Sequence, residues 1–190
     1  MKEVIRCSWV PLDDPLYVAY HDIEWGTPVY DDQTLFEYIV LESAQAGLSW
    51  KTILHKREGY RKAFKNFDPH KVSRYTSNDV TRLMKDASIV RNKRKIEATI
   101  QNARVFIQIQ KECGAFSSYM WSFVHNTSIN HSFSHHQQYP QYIDEAVHLS
   151  DDLKKRGFSF FGPTITYAHM QAVGMVNDHT TTCFRKKDRH

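Results

Sequence analysis

Glu42 falls three residues after Ile39, four after Tyr38 and seven after Leu35. A helix through this segment puts its carboxylate on an apolar face. A carboxylate so placed is either close to a solvent-exposed helix end or held in a pocket for use. Trp9, Tyr17, Tyr20, Trp25 and Trp50 crowd the neighbouring sequence. Rings commonly do no more than fill a core. A ring-walled pocket carrying one acid also suits a flat, cationic heterocycle, because stacking contributes about 1–3 kcal/mol per base and a positive charge adds attraction to the ring faces.

A second group of reactive side chains sits at the two ends. Cys7 and His21 lie near the N-terminus, His179 and Cys183 near the C-terminus. Two thiolates and two imidazoles make a closed tetrahedral zinc set. The four-residue step from His179 to Cys183 puts both on one face if that segment is helical. Such a site would join chain ends that otherwise fray; the plainer alternative is two buried thiols and two structural histidines. Cys113 is left over, a free thiol at a helix end.

The third feature is charge. Arg82, Lys85, Arg91, Lys93, Arg94, Lys95 and Arg104 stand against only Asp86 and Glu97, a local excess larger than the net +4 of the whole chain. The excess gathers on a helix–turn–helix from Leu83 to Lys93. A turn that opens a helix offers free backbone N–H groups to an anion, and flanking cations strengthen the grip. Contacts of this kind hold DNA phosphates without reading sequence. A solvated basic helix face is the alternative; Ile89 and Val90, apolar anchors inside the turn, favour a rigid hairpin.

These residues are positioned by helices. Asp31 and Asp32 cap a helix through Leu35, Phe36, Ile39 and Val40 that ends near Gly47, and Ser49 caps the next, with Trp50, Ile53, Leu54 and Phe64 at helical spacing. Asp68-Pro69 opens a short helix, and Thr76 to Asp79 fits a capping box. Lys93 to Lys111 reads as a long helix with Ile96, Ile100, Ala103 and Ile107 on one stripe, followed by an aromatic helix from Phe116 to Val124. Residues 125–143, with four His and no Lys, Arg, Asp or Glu, read as a loop with little claim to a metal. Helices resume from Asp144 to Arg156, capped by Gly157, and from Thr164 to Val173 after Gly162-Pro163. Strand alternation is sparse, so the expected class is all-α.

Composition sets the frame. The chain has 190 residues, 41% hydrophobic, 24% charged and 13% aromatic. That length suits one domain over 1–190, with two helical lobes possible. No apolar run reaches membrane-spanning length, and Met1 to Arg6 lacks the apolar core of a signal peptide. Three Cys cannot build a disulfide framework, which fits a reducing compartment. A cytoplasmic protein is expected.

Four motifs carry a resemblance in the same order along nearly the whole chain. They are Cys7-x-Trp9; Asp14-Pro15-Leu16-Tyr17-x-x-Tyr20-His21-Asp22-x-Glu24-Trp25-Gly26; Leu41-Glu42-x-x-x-Ala46-Gly47-Leu48-Ser49-Trp50; and Asn177-Asp178-His179-x-x-x-Cys183. Together the chain resembles the 3-methyladenine DNA glycosylase I family, a divergent branch of the helix-hairpin-helix glycosylases. The resemblance implies an all-helical fold and a structural Zn2+ on Cys7, His21, His179 and Cys183. It also implies a base pocket of Glu42, Trp50, Tyr17 and Tyr20 with Trp9 and Trp25 as further walls. Gly47 and Leu48 then approach the gap left in the duplex, while Ser88, Arg91, Lys93 and Lys95 meet the backbone. Ser88 stands where the family commonly has Gly, and Arg94 where some relatives have a small residue. If position 88 needs a positive φ, Ser costs more there than Gly.

The activity so implied is hydrolysis of the N-glycosidic bond of 3-methyladenine in double-stranded alkylated DNA, by a monomer, with free 3-methyladenine as product. The damaged nucleotide is first turned out of the stack. N3-methylation makes the base cationic and a good leaving group, so no strong general acid is needed. Related hairpin enzymes place a catalytic Asp shortly after the hairpin, yet no Asp lies between Asp86 and Asp144. Glu42 is the carboxylate that remains, chiefly to hydrogen-bond the base edge; orienting water or stabilising an oxocarbenium-like sugar stays open. No Lys is placed as a Schiff-base nucleophile, which implies no lyase activity. Two competing readings are a hairpin that only binds DNA, and a metal-dependent hydrolase built on His21-Asp22-x-Glu24.

Overall fold

The helix signals of the sequence become helices in the computed structural model, which describes residues 4–187. Met1 to Glu3 of the N-terminal reading lie outside the described residues. Helix α1, Pro15–Ala19, begins at Asp14, whose carboxylate accepts the Tyr17 N–H at 3.2 Å. It runs directly into a π turn, Tyr20–Glu24. Asp14-Pro15 is the same opening signal as Asp68-Pro69, yet no helix is expected here from periodicity. The element is too short for a visible period. Asp14 also binds His55 Nε2 at 2.7 Å, tying α1 to the helix that carries Trp50.

Helix α2, Asp32–Gln45, is the hub. Asp31 caps it through the Thr34 N–H at 2.8 Å, and every residue from Leu35 to Ala44 is buried. Burial on all sides hides the usual amphipathic stripe. Around α2 pack α3 (Trp50–Ala63, capped by Ser49), α6 (Lys93–Cys113), α7 (Phe116–Ser122) and α9 (Pro163–Ala172). The short α4 (Pro69–Val72) and α5 (Ser77–Leu83) lie against α6, and α8 (Asp144–Lys155) against α9. The expected all-α class holds for the described residues, apart from one small strand pair.

Residues 125–143, read as a loop or an irregular excursion, are mostly irregular and carry two very short elements. Ile129–Asn130 (β1) pairs in parallel with Val176–Asn177 (β2), and a short 3-10 turn follows at His136–Gln138. Two-residue strands carry no period that a sequence can display. The pairing fixes the segment beside the C-terminal end of the chain. The condition attached to the His179-to-Cys183 spacing, a helical segment, is not met: the stretch is a turn, closed by the Cys183 N–H on the Thr180 carbonyl at 2.8 Å.

Candidate active site and metal centre

Helix α1 with its π turn, the buried α2, the first turn of α3, α9 and the 125–143 segment meet around a cavity of about 280 Å³. Trp9, Tyr17, Tyr20, Trp25, Trp50 and Glu42 all line it, so the sequence-nominated rings and acid are brought together. The rings brace one another at an angle. Trp9 meets Trp25 at 4.8 Å between centroids, Tyr20 meets Trp50 at 5.2 Å, and Tyr17 meets Tyr20 edge-on at 6.2 Å. Tilted and edge-to-face contacts hold aromatic walls in one geometry.

Glu42 is 4% exposed, and burial pushes its carboxyl up to about 8 with no hydrogen bond or ion pair to oppose it. The neighbouring Glu37 on the same helix is buried too, but it receives Arg57 Nε at 2.5 Å and Arg61 at 2.9 Å. One glutamate of α2 is therefore neutralised by two guanidiniums and the other faces a cavity unpaired. An uncompensated buried carboxyl costs several kcal/mol if charged, which makes Glu42 a candidate to meet whatever enters the cavity. The Tyr17 phenol is raised to about 12 by its own burial and by the nearby Glu42. The indole N–H of Trp50 is buried without a protein partner.

Sequence reasoning missed Gln45, His136, Tyr139 and Gln171, which also line the cavity. His136 is tethered by Ser8 Oγ at 2.8 Å, and the Tyr139 hydroxyl donates to the Asp178 carbonyl. The cluster of His and Tyr in 125–143 was the available signal, but nothing local told where that segment would lie. Next to the main cavity is a second hollow of about 210 Å³ that shares Glu42 and Gln45. Its rim includes Gly47, at φ +79, and Leu48, whose side chain is 41% exposed at the tip between α2 and α3.

The basic turn divides. Arg91, Lys93 and Arg94 are exposed at the start of α6, and the Arg94 guanidinium lies over the Phe160 ring at 5.7 Å. Lys95, expected among the backbone contacts, is buried instead. Its ammonium donates to the carbonyls of Ala44 at 2.7 Å and Ala46 at 2.5 Å, satisfying the C-terminal end of α2. The first turn of α6 faces α2 on one side and solvent on the other, so charge alone misassigned this residue. Ser88 is exposed, but its N–H (2.9 Å) and hydroxyl (2.6 Å) both donate to Asp86, leaving that N–H already engaged. The concern about positive φ does not apply either, since Ser88 is not in the left-handed region. Close packing is relieved from the other side: a Cβ on Gly59 of α3 would lie 2.4 Å from the Ser88 carbonyl oxygen.

Cys7, His21, His179 and Cys183 are all buried, with their ligand atoms within 4.8 Å of one another. The set could hold a metal ion. Cys7 Sγ stands 3.6 Å from His179 Nδ1, Cys183 Sγ 3.5 Å from the same nitrogen, and Cys183 Sγ 3.5 Å from His21 Nε2. A tetrahedral ion with metal–sulfur bonds near 2.3 Å and metal–nitrogen bonds near 2.1 Å would separate such atoms by roughly 3.6 Å. The second nitrogen of each ring is anchored, His21 Nδ1 on Asp22 at 2.7 Å and His179 Nε2 on the Trp25 carbonyl at 3.1 Å. Anchoring of this kind orients metal-binding imidazoles. Hydrogen bonds from Cys183 and His179 hold the Cys7 thiol far down, while the hydrogen bond that Cys183 gives Cys7, and then burial, push the Cys183 thiol up. The carboxylates of the His21-Asp22-x-Glu24 triplet are engaged elsewhere, Asp22 by Arg6 at 2.6 Å and Glu24 by Arg57 at 2.6 Å.

The family model for methyladenine glycosylase matches residues 9–186. DNA-3-methyladenine glycosylase 1 of Escherichia coli (strain K12) is 48% identical over 178 residues, covering 94% of this chain and 95% of the relative. The DNA-3-methyladenine glycosylase of Haemophilus influenzae is 44% identical over 179 residues, covering 94% and 96%. The structure of 3-methyladenine DNA glycosylase I from Staphylococcus aureus, solved for its recognition of 3-methyladenine, superposes with a TM-score of 0.93 at 38% identity, covering 97% of this chain and 98% of that one.

Proposed function

The chain belongs to the methyladenine glycosylase family, and from that premise we propose how its residues excise 3-methyladenine from alkylated DNA in base excision repair. The observation that carries the reading is Glu42, an unpaired buried carboxyl in a ring-walled cavity with Tyr17, Tyr20 and Trp50. An everted N3-methylated adenine is flat and positively charged. It gains stacking and cation–ring attraction from the walls, and it supplies the positive charge that Glu42 lacks. Entry of the cation favours the carboxylate, which accepts from the exocyclic amine at the base edge. Trp9 and Trp25 complete the wall.

The lesion supplies the leaving group, so the residues need only bind, orient and exclude bulk water. Cleavage of the C1′–N9 bond takes both electrons onto the base, neutralising it, and water adds to the oxocarbenium-like sugar. No lysine lines either hollow among the described residues, in keeping with a hydrolase that leaves an abasic site intact. Leu48, with Gly47 turning the chain beneath it, is suited to enter the gap left by the everted base. The turn from α5 to α6 serves as a helix-hairpin-helix element, with Arg91 and Lys93 gripping phosphates of duplex DNA. Cys7, His21, His179 and Cys183 would hold a structural Zn2+, with all four ligands supplied by the chain. The working unit is one domain, acting as a monomer inside the cell; no described helix is long and apolar enough to cross a membrane.

The test is release of base from methylated duplex DNA, with the product identified by mass. Free 3-methyladenine supports the reading. Binding of duplex without release of any base reduces the protein to a DNA-binding hairpin.

A further inference from the structure

Gln171 lines the same cavity from α9, and its amide is not free to choose an orientation. Its Nε2 donates to Asp178 Oδ2 at 2.7 Å. Asp178 is fully buried, and its carboxylate is ringed by donors: the Tyr167 hydroxyl on the same oxygen and His131 Nδ1 at 2.7 Å on the other. A carboxylate only accepts. Flipping the amide would set its carbonyl oxygen against Asp178 Oδ2, two acceptors in contact in a buried place, so the N–H side is fixed inward. The main chain is pinned as well, the Gly26 N–H donating to the Gln171 carbonyl at 3.0 Å. With one N–H of Nε2 committed to Asp178 and Oε1 given no partner among the described residues, the acceptor that the amide offers the cavity is Oε1, an atom that cannot become a donor.

We infer that Gln171 is a specificity-determining residue whose side-chain oxygen selects an amine at position 6 of the everted purine and rejects an oxo group there. The inference rests on the base-pocket reading above. The exocyclic amine of 3-methyladenine has two N–H bonds, enough for Glu42 and Gln171 together. A 6-oxo base turns a lone pair toward Oε1 and leaves that oxygen without a donor. Sites built to hydrogen-bond a substrate N–H discriminate strongly against analogues lacking it. Asp178 acts through Gln171 and is a positioning residue.

The experiment measures affinity for three free bases, 3-methyladenine, 3-methylpurine and 3-methylhypoxanthine, by quenching of tryptophan fluorescence, in the wild-type protein and in Gln171→Met. The wild type is expected to bind them in that falling order, with the amine favoured over the oxo base by about a hundredfold. Gln171→Met is expected to cut that ratio by about tenfold, chiefly by raising 3-methylhypoxanthine to the level of 3-methylpurine. The wild-type order among the three bases is read without any variant, so a failure of Gln171→Met to fold leaves the test standing. A wild type that binds 3-methylpurine and 3-methylhypoxanthine equally overturns the inference, as does an unchanged ratio in Gln171→Met, while the pocket reading survives both. A wild type that binds none of the three overturns the pocket reading itself, and the inference with it.

Discussion

At the scale of single residues, Glu42 costs stability as pH rises. Its folded-state carboxyl stands near 8 against an ordinary 4.5. Between those values the native chain keeps a proton that the unfolded chain has released, so stability falls as pH rises through the window and levels off above it. At about 1.4 kcal/mol per unit, the cost near pH 8 is on the order of a few kcal/mol. Glu42→Gln keeps the shape and cannot ionise. It should therefore melt several degrees higher than wild type at pH 8, with little difference at pH 4.5, while base release drops by about a hundredfold or more. Thermal melts at both pH values beside a release assay check this pair of opposite effects. For the wild type, kcat/KM should climb with pH toward about 8, because the free enzyme must give up the Glu42 proton to match a cationic base. A flat profile over that range removes the carboxylate from base recognition.

At the scale of elements, the turn between α2 and α3 and the turn between α5 and α6 are linked by Lys95. Its ammonium closes the last carbonyls of α2, two residues before Leu48. Lys95→Met retains the aliphatic stem but leaves those carbonyls without their donor. It should cost about 1–3 kcal/mol in a denaturant melt and weaken base release more than DNA binding, since it loosens the Gly47-Leu48 tip. Arg91 and Lys93 are exposed and should behave in the reverse manner. Changing either to Ala should weaken duplex binding alike for all sequences and reduce the slope of log K against log salt by about one. Titrations at several salt concentrations separate the two classes. Helix α7 shows the same dependence on distant partners: its first N–H groups, those of Phe116 and Ser117, are satisfied by Asp32 of α2 at 2.8 Å and not by a neighbouring cap.

At the scale of the whole molecule, the cysteine–histidine cluster is a wall behind a wall. Trp9 lies 5.2 Å from the His21 ring and Trp25 lies 4.6 Å from the His179 ring, so the rings that face the cavity lean on the residues that join the chain ends. Chelation, or Cys183→Ser, should lower Tm by about 10 °C or more. It should also change tryptophan emission before activity is lost, and activity should return only with refolding. Activity lost at once at constant Tm, and restored by added metal without refolding, would argue for a metal at the chemistry.

The sequence by itself determined most of the helices, several of their caps and the identity of the reactive residues, because caps, prolines and the 3.6-residue period act over a single turn. The short α1 with its π turn and the distant cap of α7 escaped it. It nominated Glu42, the five rings and the four metal-binding candidates by type, and their motifs supplied the order along the chain. Tertiary structure alone decided which of two buried glutamates is left unpaired, since the guanidiniums that neutralise Glu37 come from another helix. It also decided that Lys95 faces inward and that residues 125–143 reach the cavity. Local periodicity carries no record of what a side chain meets after a hundred residues of chain have folded back on it.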